Sequence, residues 1–149
     1  MKTAIHLFIL CFICSACGAT YTEEEVNEFD KKIKTYLNKK GIECEKSQSG
    51  LYYKLEAEVL GKQIQYTDKI TFTYKGMFLS GEVFDEQKDP VIFDVKVLIG
   101  AWKEAALMSK KGTKLFLVAP PQLGYGTREL DAIPESSILI FEMDIIDVR

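Results

Sequence analysis

Apolar residues recur at helical spacing early in the chain. This pattern predicts an amphipathic helix over residues 22–40. Thr22, with Glu25 three residues later, forms a capping-box pattern, and Gly41 is a typical helix stop. The apolar positions share one face: Val26, Phe29, Ile33 and Leu37. Such a helix could pack on the domain that follows, space that domain from a membrane, or mediate dimerisation, and packing or spacing is the simpler interpretation.

Beyond a polar linker at residues 45–50, apolar and polar residues alternate as in half-buried strands. Only one further helix is predicted, over residues 98–108. Because strands outnumber helices and do not alternate with them, we expect an α+β fold with an antiparallel sheet packed on one short helix. The predicted strands are residues 51–59, 70–74, 91–95, 114–119 and 137–148.

The first sixteen residues have the layout of an export signal. Lys2 precedes an apolar run from Ala4 to Cys14, and small residues follow it. A transmembrane helix is the alternative, but the run is shorter than the roughly 18–20 apolar residues that cross a bilayer. We therefore expect residues 1–16 to be a signal peptide.

The residues around the end of this segment also predict a membrane anchor. Cys14-Ser15-Ala16-Cys17 resembles a bacterial lipobox, which makes Cys17 the expected lipidation site. Ordinary cleavage nearby, leaving a plain thiol, is the alternative. The first interpretation gives three parts: signal peptide 1–16, anchored helix and linker 17–48, and a domain at 49–149. The domain would be exported and anchored to a bacterial membrane, facing the periplasm.

Composition restricts the chemistry of this domain. His6 is the only histidine and lies in the signal, so the mature chain has no Ser-His or Cys-His pair and no histidine ligand for zinc. No Walker loop, dinucleotide fingerprint or paired CxxC is present, and we expect no metal and no cofactor. Losing Lys2 moves the net charge from −3 to −4, which argues against nucleic acid as a partner. Cys44 would be left without an intramolecular partner, most simply as a buried thiol.

Five motifs in the second part of the chain carry a family resemblance. They are FTYKGMFLSGEVFD at 72–85, LIGAW at 98–102, MSKKG at 108–112, PPQLGYG at 120–126, and IP followed by SILIFEM within 133–143. Their order and spacing, over roughly residues 49–149, resemble the FKBP family of peptidyl-prolyl cis–trans isomerases. The resemblance implies a curved antiparallel sheet wrapped around a short helix, and cofactor-free isomerisation of proline-containing polypeptides.

The resemblance also implies the site residues. Trp102 would form the floor of a proline pocket, and the Tyr125 hydroxyl would donate to a substrate carbonyl. The main-chain N–H of Ile99 would bind a second carbonyl. Val91 stands where the family often has an aromatic wall residue. The implied catalytic residues are Tyr74, Phe84, Asp85, Trp102, Tyr125 and Phe141, and the implied substrate-binding residues are Val91, Leu98, Ile99 and Ile133.

Three hypotheses on function follow. The first is a prolyl isomerase that assists the folding of exported proteins. The second is a module that binds proline-containing segments without useful turnover. The third is a chaperone or membrane-complex component that uses the sheet surface or the helix at 22–40. Substituting Tyr125 and Trp102 separates the first hypothesis from the third.

Overall fold

The computed structural model describes residues 21–56 and 61–149. The predicted signal peptide and Cys17 lie outside the described residues, as do Ala57 and Val59 at the end of the first predicted strand. Short 3₁₀ helices cover Val95–Val97 and Pro121–Leu123. The helices and strands in chain order are α1 Glu23–Lys40, β1 Glu45–Lys46, β2 Tyr52–Glu56, β3 Lys69–Phe78, β4 Val83–Asp94, α2 Gly100–Leu107, β5 Lys114–Ala119 and β6 Leu139–Val148.

The strands form one antiparallel sheet. Their order across the sheet is β1-β2-β5-β6-β3-β4. β6 lies near the middle and pairs with β5 on one side and β3 on the other. One short helix, α2, packs on the inner face, so the predicted α+β class is confirmed.

α1 begins and ends as the sequence predicts. The Glu25 main-chain N–H donates to Thr22 Oγ1 at 3.2 Å, and the Thr22 N–H donates to Glu25 Oε2 at 2.7 Å. Gly41 ends the helix in the left-handed conformation, with φ at 65°. The prediction of a capped helix is confirmed. Among the residues described, no helix combines the length and apolar character needed to span a bilayer.

Each face of the sheet carries its own apolar cluster. The inner cluster packs α2 against β3, β5 and β6, and its largest buried side chains include Phe72, Trp102 and Phe141. The outer cluster packs α1 against β2, β5 and β6. α1 thus lies directly on the outer face, and of the two interpretations favoured by the sequence the structure shows packing on the domain. The buried outer cluster comprises Phe29, Ile33, Leu37, Tyr52, Val118, Ile138 and Ile140.

A polar group on α1 also binds the helix to the sheet edge. Asp30 accepts a hydrogen bond from the Tyr52 hydroxyl at 2.7 Å and forms ion pairs with Lys46 at 2.6 Å and Lys34 at 2.8 Å. Burial acts to raise the pKa of Asp30, but these three partners outweigh it and hold the pKa well below its ordinary value. Asp30 therefore fastens α1 to β1 and β2.

The observed strands differ from the predicted ones at the far edge of the sheet. β4 starts at Val83, whereas alternation predicted a strand only from Val91. β4 is an edge strand, and its polar stretch from Asp85 to Pro90 is typical of an edge that discourages further pairing. Apolar and polar residues therefore do not alternate over residues 85–90, and the sequence pattern did not predict a strand there. β1 lies in the predicted linker at 45–50.

Candidate active site

A cavity of about 230 Å³ opens at the edge of the inner face, between β3, β4 and the start of α2. Most of its lining is aromatic or aliphatic, with one carboxylate and two tyrosine hydroxyls as polar groups. The lining residues are Tyr74, Phe84, Asp85, Phe93, Val97, Leu98, Ile99, Trp102, Tyr125 and Phe141. An apolar pocket with a few convergent polar groups is the usual form of a small-ligand site.

Trp102, in the first turn of α2, lies among the aromatic side chains of the sheet. Its ring centroid is 4.8 Å from Tyr74 and 5.1 Å from Phe141, and the Phe141 contact is edge-to-face at 82°. The indole Nε1–H is buried and has no hydrogen-bond partner within the described residues. An unpaired buried donor is unfavourable for stability. The aromatic contacts of the indole with Tyr74 and Phe141 act in the opposite direction.

The wall opposite Trp102 depends on a glycine in β3. Phe84 lies directly over Gly76, so that a Cβ added at Gly76 would stand 2.6 Å from Phe84 Cζ and 3.2 Å from Phe141 Cε1. The Phe84 ring in turn contacts Phe141 edge-to-face at 5.9 Å. Gly76 therefore gives the Phe84 ring the space in which it forms the wall.

Polar groups lie at the rim of the cavity. The Tyr74 hydroxyl donates to Asp85 Oδ2 at 2.5 Å. Burial, with the nearby Asp85 carboxylate, raises the pKa of Tyr74 to about 12. The same two causes raise the pKa of Tyr125. Asp85 is thus held by Tyr74 and is placed to influence Tyr125.

Two donors at the cavity are not engaged elsewhere. In the ranges 21–56 and 61–149, neither the Tyr125 hydroxyl nor the main-chain N–H of Ile99 has a hydrogen-bond partner. Ile99 immediately precedes α2, and its carbonyl accepts from Lys103 N–H at 2.9 Å. Both donors are available to carbonyl oxygens of a bound peptide.

The structure brings eight of the ten proposed site residues to this cavity and leaves out two. Val91 is half-buried against the inner cluster, and Ile133 is buried in that cluster, with main-chain hydrogen bonds to Leu130. Phe93 and Val97 line the cavity in addition. Val91 and Phe93 lie two residues apart and so share one face of β4. Alternation alone could not decide which of them reaches the cavity.

Another depression lies on the outer face, beyond the end of α1. It encloses about 780 Å³ and is lined largely by side chains of both charges, including Lys54, Lys114, Glu142 and Asp144. Ion pairs within this lining join Lys54 to Glu56 and Lys114 to Asp144. These residues neutralise one another, so the chemistry points to the smaller aromatic cavity. In the described part of the chain, no group of three His, Cys, Asp or Glu residues could hold a metal ion.

Comparison with known families agrees with this geometry. The family model described as FKBP-type peptidyl-prolyl cis-trans isomerase matches residues 61–146. The chain belongs to this family. The matched range includes all ten residues that line the cavity, from Tyr74 in β3 to Phe141 in β6.

Individual relatives extend the likeness. The chain is 40% identical over 119 residues to the FKBP-type peptidyl-prolyl cis-trans isomerase FkpA of Buchnera aphidicola subsp. Acyrthosiphon pisum, covering 78% of this chain and 48% of the relative. It is 32% identical over 116 residues to the peptidyl-prolyl cis-trans isomerase Mip of Coxiella burnetii, covering 75% and 50%. The chain thus spans about half the length of these curated relatives.

Solved structures share the fold. The crystal structure of FkpA from Escherichia coli superposes with a TM-score of 0.73 at 31% identity, covering 85% of this chain and 62% of that chain. The crystal structure of AtFKBP13 superposes with a TM-score of 0.65 at 29% identity, covering 70% and 98%. The predicted FKBP-like architecture is confirmed.

Proposed function

We propose that this protein is a peptidyl-prolyl cis–trans isomerase that assists the folding of exported proteins. The observation that carries the proposal is an apolar aromatic cavity with two donors at its edge, the Tyr125 hydroxyl and the Ile99 N–H, that find no acceptor among the residues described. Membership of the FKBP-type family supports the same activity. The substrates are proline-containing polypeptides, and no cofactor takes part.

Catalysis of X–Pro rotation requires only an apolar site that binds the twisted amide and excludes water. Rotation about an X–Pro bond has a barrier of roughly 18–20 kcal/mol because twisting breaks amide resonance, and the uncatalysed step takes tens to hundreds of seconds. A twisted amide has less charge separation than a planar one, so an apolar cavity favours it. Each tenfold acceleration needs only about 1.4 kcal/mol of preferential binding of the twisted form.

In this proposal each lining residue has a part in holding the twisted amide. The proline ring lies on Trp102, between the aromatic walls of Tyr74, Phe84 and Phe141. The Ile99 N–H and the Tyr125 hydroxyl donate to the carbonyls on either side of the bond. Asp85 orients Tyr74 and contributes to the rim, while Leu98 gives an aliphatic wall.

Activity is tested with a series of X–Pro peptides, by protease-coupled or NMR assay, using the full-length protein in detergent. We expect acceleration by the parent and its loss in Trp102→Ala. Because Trp102 belongs to the core, Tyr125→Phe is the second variant: it keeps the ring and removes one hydrogen bond, worth about 0.5–1.5 kcal/mol, or roughly a two- to twelvefold fall in kcat/KM.

The results also separate the alternatives. A folded parent that binds peptides, as followed by the fluorescence of its single tryptophan, but accelerates none of them would be a proline-binding module. Suppression of aggregation that survives in both variants, without isomerisation, would indicate a chaperone. Either result would overturn the enzymatic proposal.

We further propose that residues 1–16 are removed as a signal peptide and that Cys17 is lipidated. The anchor would hold the FKBP-like domain at residues 49–149 on a bacterial membrane, facing the periplasm, through the segment 17–48. Multiple acyl chains suffice for stable anchoring, since each buried methylene contributes about 0.8 kcal/mol.

The anchor is tested by mass spectrometry of the N-terminal peptide and by membrane fractionation. We expect Cys17→Ser to lose both the lipid mass and the membrane association, while Cys11→Ser, outside the four lipobox residues, keeps them. A lipid mass that persists in Cys17→Ser would contradict this assignment, and it would leave the isomerase proposal untouched.

A further inference from the structure

The segment before α1 reaches across the fold to the loop between β5 and β6. The Tyr21 hydroxyl lies 3.0 Å from Ser136 Oγ, a hydrogen bond between residues 115 positions apart in sequence. The Tyr21 ring packs edge-on against Phe29, with centroids 5.1 Å apart and an angle of 89°. Both partners of the hydrogen bond are half-buried. Tyr21 is therefore held by α1 and presents its hydroxyl to the loop.

Ser136 connects this contact to the cavity. Its main-chain N–H donates to the carbonyl of Gly126 at 2.8 Å, and the Gly126 N–H donates to the carbonyl of Pro121 at 2.9 Å. Gly126 directly follows Tyr125, whose hydroxyl lies at the cavity. One chain of hydrogen bonds thus leads from Tyr21 through Ser136 to the residue after Tyr125.

The loop depends on contacts of this kind. Residues 127–132 are exposed, and in this stretch the main chain has only a pair of hydrogen bonds between Leu130 and Ile133 and one from Arg128 to Tyr125. Ser136 adopts a φ of 56°, which is uncommon for a residue other than glycine and needs support from its surroundings. Just beyond it, Ile138 is buried beneath α1. Ser136 is therefore held by its N–H bond to Gly126 and by the Tyr21 hydroxyl, two residues before a side chain buried beneath α1.

We propose that Tyr21 is a positioning residue for the isomerase site: through Ser136 and Gly126 it fixes the loop that carries the Tyr125 hydroxyl. This proposal rests on the isomerase function proposed above. Tyr21 itself does not touch the substrate. The simpler alternative is a local surface hydrogen bond that leaves the loop unchanged, and the two differ in what happens at residues 126–136 when the hydroxyl is removed.

The test uses the full-length protein with Tyr21→Phe, which removes the hydroxyl and keeps the ring on Phe29. Tyr36→Phe is the matched control, because Tyr36 lies on α1 near the outer cluster and its hydroxyl makes no hydrogen bond to the loop within the described residues. Hydrogen exchange of residues 124–137 and the kcat and KM for an X–Pro peptide are measured. We expect faster exchange at Ser136 and its neighbours in Tyr21→Phe only.

Turnover of the X–Pro peptide should fall in the same variant. We expect Tyr21→Phe to lower kcat more than it alters KM, and to lose no more than Tyr125→Phe itself, about two- to twelvefold. Ser136→Gly supplies a second perturbation, because glycine tolerates the positive φ but lacks the hydroxyl. The double variant Tyr21→Phe/Ser136→Gly should be no worse than the more impaired single variant, as expected for two partners in one interaction.

Exchange and kinetics in Tyr21→Phe that match Tyr36→Phe would overturn the proposal. So would fully additive effects of Tyr21→Phe and Ser136→Gly. If the parent protein shows no isomerase activity, the functional proposal fails, and faster exchange at residues 126–136 still decides whether Tyr21 holds the loop. The two failures are therefore distinguishable.

Discussion

Replacing Gly76 by alanine tests how the cavity wall is built. The added Cβ would stand 2.6 Å from Phe84 Cζ and 2.7 Å from Phe84 Cε2, whereas ordinary carbon–carbon contacts lie near about 3.5 Å. The Phe84 ring must therefore move by about 1 Å. Phe141, 3.2 Å from the same Cβ, limits movement to one side. The backbone at Gly76 lies in a strand that alanine also adopts, so the steric contact with Phe84 is the main source of any effect.

The expected magnitude is that of overpacking in a core, about 1–3 kcal/mol of unfolding free energy. A ring displaced toward the cavity would also weaken peptide binding, raising KM for an X–Pro peptide. Urea unfolding followed by the fluorescence of Trp102, the single tryptophan, measures the first quantity, and peptide kinetics measure the second.

A second background makes the test decisive. In Phe84→Ala the opposing ring is absent, and we expect Gly76→Ala to cost little or nothing there. An equal loss of unfolding free energy in both backgrounds would refute the reasoning, because the loss would then arise from the strand rather than from Phe84.

Three further predictions concern α1 and the tyrosines. Asp30→Asn should lower the unfolding free energy at pH 7 by about 1.5–3 kcal/mol, the range for hydrogen bonds to a charged group. The pKa of Asp30 is lower in the folded protein than in the unfolded chain, where it is about 3.9, so this stabilisation is present above about pH 3.9. As the pH falls below about 3.9 and Asp30 becomes protonated, the urea midpoints of parent and variant should converge. Ile33→Ala, at a fully buried position, should cost about 2–5 kcal/mol by urea unfolding, against a much smaller loss for half-exposed Val26→Ala. Since the pKa of Tyr74 is raised to about 12 and that of Tyr125 is also raised, we expect no loss of kcat/KM from tyrosine ionisation between about pH 7 and 9; a decline in that interval that coincides with phenolate absorbance would contradict it.

Local signals allowed the sequence to predict α1 almost to the residue. The capping box at Thr22 and Glu25, the apolar stripe and Gly41 all act within a few positions of each other. The sequence left open which surface would cover that stripe. The answer depends on β2, β5 and β6, which come together only through pairings distant in sequence.

The candidate site also has residues that the sequence could locate and contacts that only the structure revealed. Motif spacing located Trp102 and Tyr125, whose surroundings at the start of α2 and between two glycines are distinctive. Spacing did not distinguish Val91 from Phe93, because residues two apart share one face of β4, and in the fold it is Phe93 that lines the cavity while Val91 packs against the inner cluster. The dependence of Phe84 on Gly76 also required the structure, since the two lie on adjacent strands and their contact is set by register.

The position of β6 in the sheet has a consequence for how the protein is made. Residues 139–148 supply the strand between β5 and β3, so the two hairpin-like halves of the sheet cannot join until this segment has been synthesised. Until then β3 and β5 present unpaired edges, which are open to aggregation. Pairing of β3 with β6 also joins residues about seventy positions apart, a topology that folds slowly. The sheet therefore cannot be completed before residues 139–148 are available, and the facing edges of β3 and β5 stay exposed until β6 pairs with both.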